Sequence, residues 1–159
     1  MPKEGQIVFF DRSYFGMGIT NPSLGYCTKD QYNYFIQNVN RFEEDLNIEG
    51  IELVKFWFSI TKEKQIERFE LRKNSPLKYW KFSPSDEKAM SKWDILNKYR
   101  DQCFSKASTD KNPFVVIQSN DKKLSSLNSL RYLLNKLDYQ DKDLKVIGDV
   151  YSDVVYEIK

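Results

Sequence analysis

The spacing of apolar and polar positions changes several times along the chain, and each change marks an element. In GQIVFFDRS, four apolar residues, Ile7 to Phe10, stop at Asp11-Arg12-Ser13. An unbroken run of this kind predicts a strand over 6–10, buried on both faces, that delivers an acid and a base to its end. Residues 29–48 switch to helical spacing, with Tyr32, Phe35, Ile36, Val39, Phe42 and Leu46 separated by 3, 1, 3, 3 and 4 positions, and Gly50 ends the pattern. IELVKFWFS (51–59) is rich in β-branched and aromatic residues and predicts a second strand. Residues 61–73 read as a basic helix that Asn74-Ser75-Pro76 breaks.

Ser83-Pro84-Ser85-Asp86 is a helix start, with a capping serine, a proline suited to the first turn and an acid near the positive end of the dipole. That helix is predicted to run to about residue 106, with Met90, Trp93, Leu96, Tyr99 and Phe104 on or near one face. PFVVIQS (113–119) predicts a third strand, and 122–137 a helix with Leu124, Leu127, Leu130, Leu134 and Leu137 inward. Two short apolar runs around Gly148 predict an edge hairpin in 143–158. Strands alternating with helices imply an α/β fold with a parallel sheet covered on both faces, and a crevice beyond the carboxyl ends of its strands. Asp11, Arg12 and Ser13 follow one such end, Ser59–Thr61 and Ser119–Asp121 two more.

Length and composition set bounds on this picture. The 159 residues suffice for one domain with a real core, and no repeat, low-complexity tract or linker divides them. A net charge of +2 excludes a chain basic all over. The charge is uneven: residues 62–106 hold 12 Lys/Arg against 7 Asp/Glu, an excess of 5, so the remainder sums to −3. Polyanions are expected to prefer that middle segment. Histidine is absent, and Cys27 and Cys103 lack CxxC spacing, which argues against a zinc site, a histidine-based triad, a haem ligated by histidine and a disulfide scaffold. There is no signal-like N-terminal region and no apolar run of membrane-spanning length, so a cytoplasmic protein is expected.

Two segments carry candidate chemistry. An apolar strand ending in aspartate has the form of a Walker-B element, in which Asp11 holds Mg²⁺ and Arg12 clamps phosphate oxygens. The same aspartate also suits a helix cap or a turn. In RFELRKNSPLKYWKFSPSDEKAMSKW (68–93), Arg68 and Arg72 share a helix face, and Lys73, Lys78 and Lys81 follow around a break with Tyr79 and Trp80 among them. Between two strands this has the form of a helical lid over phosphates, and equally of a solvated pair of basic helices. Single-stranded nucleic acid is a third reading, weakened by the lack of a further stacking platform. In SNDKKLSSLNSLRYLL (119–134), Asp121 suits a helix cap, and packing accounts for the rest.

Taken together, IVFFDRSYF, GYCT, KFWFSITKEKQIERFELR, PLKYWKFSP and NDKKLSSLNSLRYLLNKLDY resemble the polyphosphate kinase 2 family, without gaps from about Gly5 to Tyr139. The resemblance implies part of a P-loop-kinase-like three-layer α/β/α fold with a parallel sheet and a helical lid at about 62–106. It implies phosphoryl transfer between inorganic polyphosphate and a nucleoside mono- or diphosphate, with Mg²⁺. Asp11 and Arg12 match the family's Walker-B pair, Asp11 being the metal ligand. Arg68 and Arg72 match basic lid positions, and Lys78 and Lys81 join them as phosphate-binding candidates.

Two departures qualify this. The family carries a glycine-rich Walker-A cradle before the strand, whereas this chain has no Gly-Lys pair, and GMG at 16–18 lacks a following lysine. The chain therefore corresponds to the C-terminal portion of a member, with Met1 at an internal position. After the DRSYF stretch the family places Asn-Arg and then a Glu, where this sequence has Gly16-Met17 and Asn21. The expected protein is either half of a phosphotransferase completed by a P-loop-bearing partner chain or a homo-oligomer, or a non-catalytic polyphosphate-binding or regulatory relative. No membrane partner is expected, and a nucleic-acid partner is disfavoured.

Overall fold

The computed structural model describes residues 1–158. In chain order the elements are a 3-10 turn (Tyr14–Met17), α1 (Thr20–Leu24), α2 (Lys29–Ile48), β1 (Lys55–Ser59), α3 (Lys62–Lys73), a second 3-10 turn (Tyr79–Lys81), α4 (Pro84–Ser91), α5 (Trp93–Ala107), β2 (Phe114–Gln118), α6 (Lys122–Lys136), α7 (Leu144–Ile147) and β3 (Val155–Ile158). This α/β chain divides into two compact units, residues 1–53 with 83–108 and residues 54–82 with 109–159. The basic segment 62–106 is thus shared between them.

The first unit is helical. Thr28 and Gln31 close a reciprocal capping box that starts α2 where the spacing places it. Along α2, Tyr32 donates its hydroxyl to Gln102 at 2.9 Å and meets the Tyr99 ring edge-on, and Asn40 donates to the Lys106 carbonyl at 2.8 Å, which fixes α2 against α5. Phe15, Ile19, Val39, Cys103 and Ala107 form the buried interior. Gly18 sits so close that a Cβ there would lie 2.6 Å from both Cys103 Sγ and the Phe35 ring, which is why no larger residue fits.

Two expectations fail in this unit. Residues 6–10 form no strand, and the side chains from Ile7 to Phe10 lie between 48% (Val8) and 74% (Phe9) exposed. A strand exists only through its ladder, and the helical unit holding this segment offers no strand edge to pair with. The helix expected over 83–106 is two, broken at Lys92. Ser91 donates its hydroxyl to the Lys88 carbonyl, and such competition with the backbone ladder bends helices.

The second unit is built on a three-stranded sheet in the order β1-β2-β3. β1 and β2 run parallel, with Phe56 opposite Val115 and Phe58 opposite Ile117. β2 is apolar from Phe114 to Ile117 and buried throughout that run, as a central strand covered on both faces must be. Val115, Ile117, Val154 and Val155 form its core, with Val54, Phe56, Leu124, Tyr132 and Val150 packed against it.

Four details differ from the sequence reading. β1 begins at Lys55 rather than residue 51. The tail forms α7 and one antiparallel edge strand, β3 against β2, instead of a hairpin, so the sheet is mixed. On α6, Leu127, Leu130 and Leu134 face outward, Leu130 at 55% exposure, while Ser125 and Asn128 are buried. Asn128 is tolerated inside because its amide donates to the Leu124 carbonyl and its oxygen accepts the Tyr151 amide at 2.8 Å.

Candidate functional site

In the helical unit, Asp11 and Arg12 stand exposed on the turn before the first 3-10 helix. Arg12 has φ 69, a left-handed conformation that costs a non-glycine residue about 1–2 kcal/mol. Strain of this kind persists where surrounding contacts fix the chain. Here Ser13 Oγ accepts the Phe15 amide, and Tyr14 donates its hydroxyl to the buried Glu43 at 2.7 Å while its ring packs among Phe15, Phe35 and Phe42. Burial, then the Glu43 carboxylate, pushes the Tyr14 phenol far above its ordinary pKa, so it stays a donor.

Asp11 itself makes no hydrogen bond or ion pair among the described residues. The cap that an aspartate there was also suited to provide is supplied by Ser13. No cluster of three or more acidic, histidine or cysteine side chains suited to a metal exists among the described residues. One exposed carboxylate fits a cation such as Mg²⁺ that arrives with phosphate oxygens, not a cage made of protein ligands alone. The Tyr14–Glu43 anchor escaped the sequence reading. Its signal was present: Glu43 continues the Phe35–Val39 stripe at helical spacing, and an acid in an apolar register needs a partner.

In the sheet unit, the carboxyl ends of β1 and β2 lie side by side, and each turns directly into a helix. The Ser119 amide donates to the Ser59 carbonyl, and the Thr61 amide to Asn120 Oδ1 at 3.1 Å. Thr61 caps α3 through the Lys64 amide and Asp121 caps α6 through the Leu124 amide. The Leu124 amide, with the Lys123 amide and nearby lysines, holds the Asp121 carboxyl below its ordinary pKa.

Arg68 reaches across from α3 and donates to the carbonyls of Ser119 and, at 3.1 Å, Asn120. Its guanidinium therefore braces the two strand ends. Arg68→Met should cost about 1–3 kcal/mol of stability, because the donors to both carbonyls are lost. Chemical denaturation checks this, and a loss below about 0.5 kcal/mol would mean that the brace carries nothing.

The other basic candidates lie differently. Arg72 is half-buried with its guanidinium over the Phe69 ring, and Lys73 sits 4.7 Å from the Phe82 ring centre. Lys78 and Lys81 are exposed, Lys81 beside the Trp80 ring. Arg68, Arg72, Lys78 and Lys81 all belong to the sheet unit, and Asp11 and Arg12 to the helical unit.

A family model described as polyphosphate kinase 2 matches residues 1–145. The chain belongs to the polyphosphate kinase 2 family. Among curated family relatives, ADP-polyphosphate phosphotransferase 1 of Rhizobium meliloti is 45% identical over 97% of this chain and 51% of its own length. A GDP-polyphosphate phosphotransferase of Mycolicibacterium smegmatis is 39% identical over 93% of this chain and 52% of its own. The crystal structure of polyphosphate kinase 2 from Arthrobacter aurescens superposes with a TM-score of 0.76 at 27% identity, covering 92% of this chain and 54% of that one. The chain spans about half the length of the curated relatives it matches. No helix among the described residues is long and apolar enough to cross a membrane.

Proposed function

We propose that this chain contributes the metal-binding turn and the basic arm of a phosphotransferase that moves a phosphoryl group between inorganic polyphosphate and a nucleoside mono- or diphosphate. The observation that carries this reading is the exposed Asp11–Arg12 turn, with Arg12 left-handed and the Tyr14–Glu43 anchor directly after it, within the residues that the polyphosphate kinase 2 model matches. Asp11 would hold Mg²⁺ together with substrate phosphates. The cation supplies charge neutralisation at the transferring phosphoryl group. Arg12 would add a planar fork to phosphate oxygens, and Arg72, Lys78 and Lys81 would gather the polyphosphate chain. The place of action is the cytoplasm, a reading supported by two cysteines without CxxC spacing.

A phosphoryl-transfer site also needs a cradle of backbone amides and a lysine, and this sequence offers no Gly-Lys pair. The proposal therefore includes a P-loop-bearing complement. A second reading, a non-catalytic polyphosphate-binding relative, draws on Gly16-Met17 and Asn21, which by the resemblance take the places of an arginine and a carboxylate.

The deciding experiment is ADP-to-ATP conversion with polyphosphate and Mg²⁺, run on this chain alone and together with the half of the Rhizobium relative that it does not match. Silence alone and turnover together support the catalytic reading. Silence in both with retained polyphosphate binding supports the second. Turnover by the chain alone at ordinary kinase rates, on the order of 1–100 per second, would overturn the need for a complement.

A further inference from the structure

The left-handed turn at Arg12 closes a stretch that no polar contact ties down. Among the described residues, positions 7 to 12 make no hydrogen bond or ion pair, and Ile7 to Phe10 stand exposed. The first bonds after Arg12 belong to Ser13, whose Oγ and carbonyl accept the Phe15 and Gly16 amides. They reach two and three residues along the chain, so they shape the turn without fixing it to the rest of the helical unit. The next bond does fix it: the Tyr14 hydroxyl donates at 2.7 Å to Glu43 on α2, 29 positions away. Glu43 is 1% exposed, and the Tyr14 ring lies edge-on to Phe42 with 5.3 Å between ring centres. Burying a carboxylate costs stability, and an apolar pair of the same shape would pack there at least as well. What the hydrogen-bonded pair adds is direction, since it admits one arrangement of the phenol where packed rings alone admit several. Arginine in a left-handed conformation is a second cost at the same place, one that glycine would avoid.

We propose that Tyr14 and Glu43 are positioning residues: their bond fixes the Arg12 turn to α2 and so sets where the Asp11 carboxylate and the Arg12 guanidinium meet a cation and its phosphates. This rests on the reading of Asp11 as the residue that holds Mg²⁺ together with substrate phosphates. Tyr14 and Glu43 act through the turn and not on the ligand, as the outer partners of metal ligands act through the groups they orient.

The test takes the whole chain, labelled with ¹⁵N, and titrates Mn²⁺ in the presence of tripolyphosphate. Paramagnetic Mn²⁺ stands in for Mg²⁺ and broadens the amide signals nearest to it. In the wild type, Asp11 and Arg12 are expected to broaden first, and Asp11→Asn to abolish this. Tyr14→Phe is expected to weaken the Mn²⁺ dependence of that broadening at least roughly tenfold. Tyr14→Phe combined with Glu43→Met removes both partners, so melting should return toward that of the wild type while the broadening stays weak. Glu43→Gln keeps an oxygen acceptor for the phenol and should leave the titration within about twofold of wild type. As a control, Tyr132→Phe removes a tyrosine–glutamate bond of the same kind, 2.6 Å to Glu157 in the sheet unit, and should leave the broadening at Asp11 unchanged.

Broadening that returns in the double variant together with its melting would make the pair a matter of stability alone and overturn the proposal. A Tyr14→Phe titration like that of the wild type would overturn it as well. Equal losses in Glu43→Gln and Tyr14→Phe would also do so, by assigning the effect to the Glu43 charge instead of the bond. If the double variant melts below the wild type, Tyr14→Phe against Glu43→Gln decides, at a temperature where both are folded. A wild type whose Asp11 and Arg12 signals stay sharp refutes the metal reading itself and the proposal with it. Localised broadening that ignores the Tyr14 and Glu43 variants refutes only the positioning and leaves that reading standing.

Discussion

Asp11→Asn is expected to leave the fold intact and to cut phosphotransfer by roughly a hundredfold or more, about 3 kcal/mol of barrier, in whatever assembly turns over. The two halves of that expectation have separate grounds. Asp11 is exposed and makes no hydrogen bond or ion pair among the described residues, so its amide replacement disturbs no contact. Surface changes of that kind stay within about 0.5 kcal/mol. The charge matters only if a cation sits beside it, and the amide keeps the shape while removing the charge. The strained Arg12 and the Ser13 cap should persist, because Tyr14, Glu43 and the ring cluster hold them independently of Asp11. Measuring melting, turnover and the Mg²⁺ concentration for half-maximal rate together separates the cases. Near-normal turnover would remove Asp11 from the chemistry. Lost turnover with lost stability would make it a structural residue instead.

What the sequence revealed, and what it hid, follows one physical line: local signals were legible and long-range covering was not. The capping box at Thr28, the proline-started helix after Ser83 and the all-apolar β2 are each written in a handful of adjacent residues. The Ile7–Phe10 run is written just as plainly, yet it forms no strand here, because pairing depends on a neighbouring edge that no local pattern encodes. On α6 the leucines at 127, 130 and 134 mark a real apolar stripe. The face turned to the sheet instead carries Asn128, whose burial depends on the backbone of Tyr151, 23 residues away. Candidate site residues divide in the same way. Asp11 and Arg12 were visible as an acid and a base ending an apolar run. The role of Arg68 was not, since its acceptors lie 51 and 52 positions further on. Spacing can place two arginines on one helix face without revealing that one is already committed to main-chain carbonyls.

That commitment changes which residues should govern polyanion binding. Reversing Arg72, Lys78 and Lys81 together to glutamate is expected to weaken polyphosphate binding by roughly a hundredfold near 0.1 M salt. Each phosphate contact releases about 0.7 counterion from a flexible single-stranded polyanion, so three contacts contribute a slope of about 2 in log affinity against log salt, taking polyphosphate to behave as nucleic-acid phosphates do. The salt dependence should flatten by that amount. These three residues sit in a stretch, 62–82, where seven basic residues face three acidic ones. Two of those acids already pair along α3, Glu67 with Lys64 and Glu70 with Lys73. Arg68 is left out of the set because its variant would mix lost binding with lost stability. The control reverses Lys111, Lys136 and Lys145, which changes net charge equally outside residues 62–106. Isothermal titration with polyphosphate of defined length at several salt concentrations reads both quantities. Equal losses in the two triple variants would mean that overall charge, not a basic arm, attracts the polyanion. An unchanged slope in the first would take Arg72, Lys78 and Lys81 out of the phosphate path.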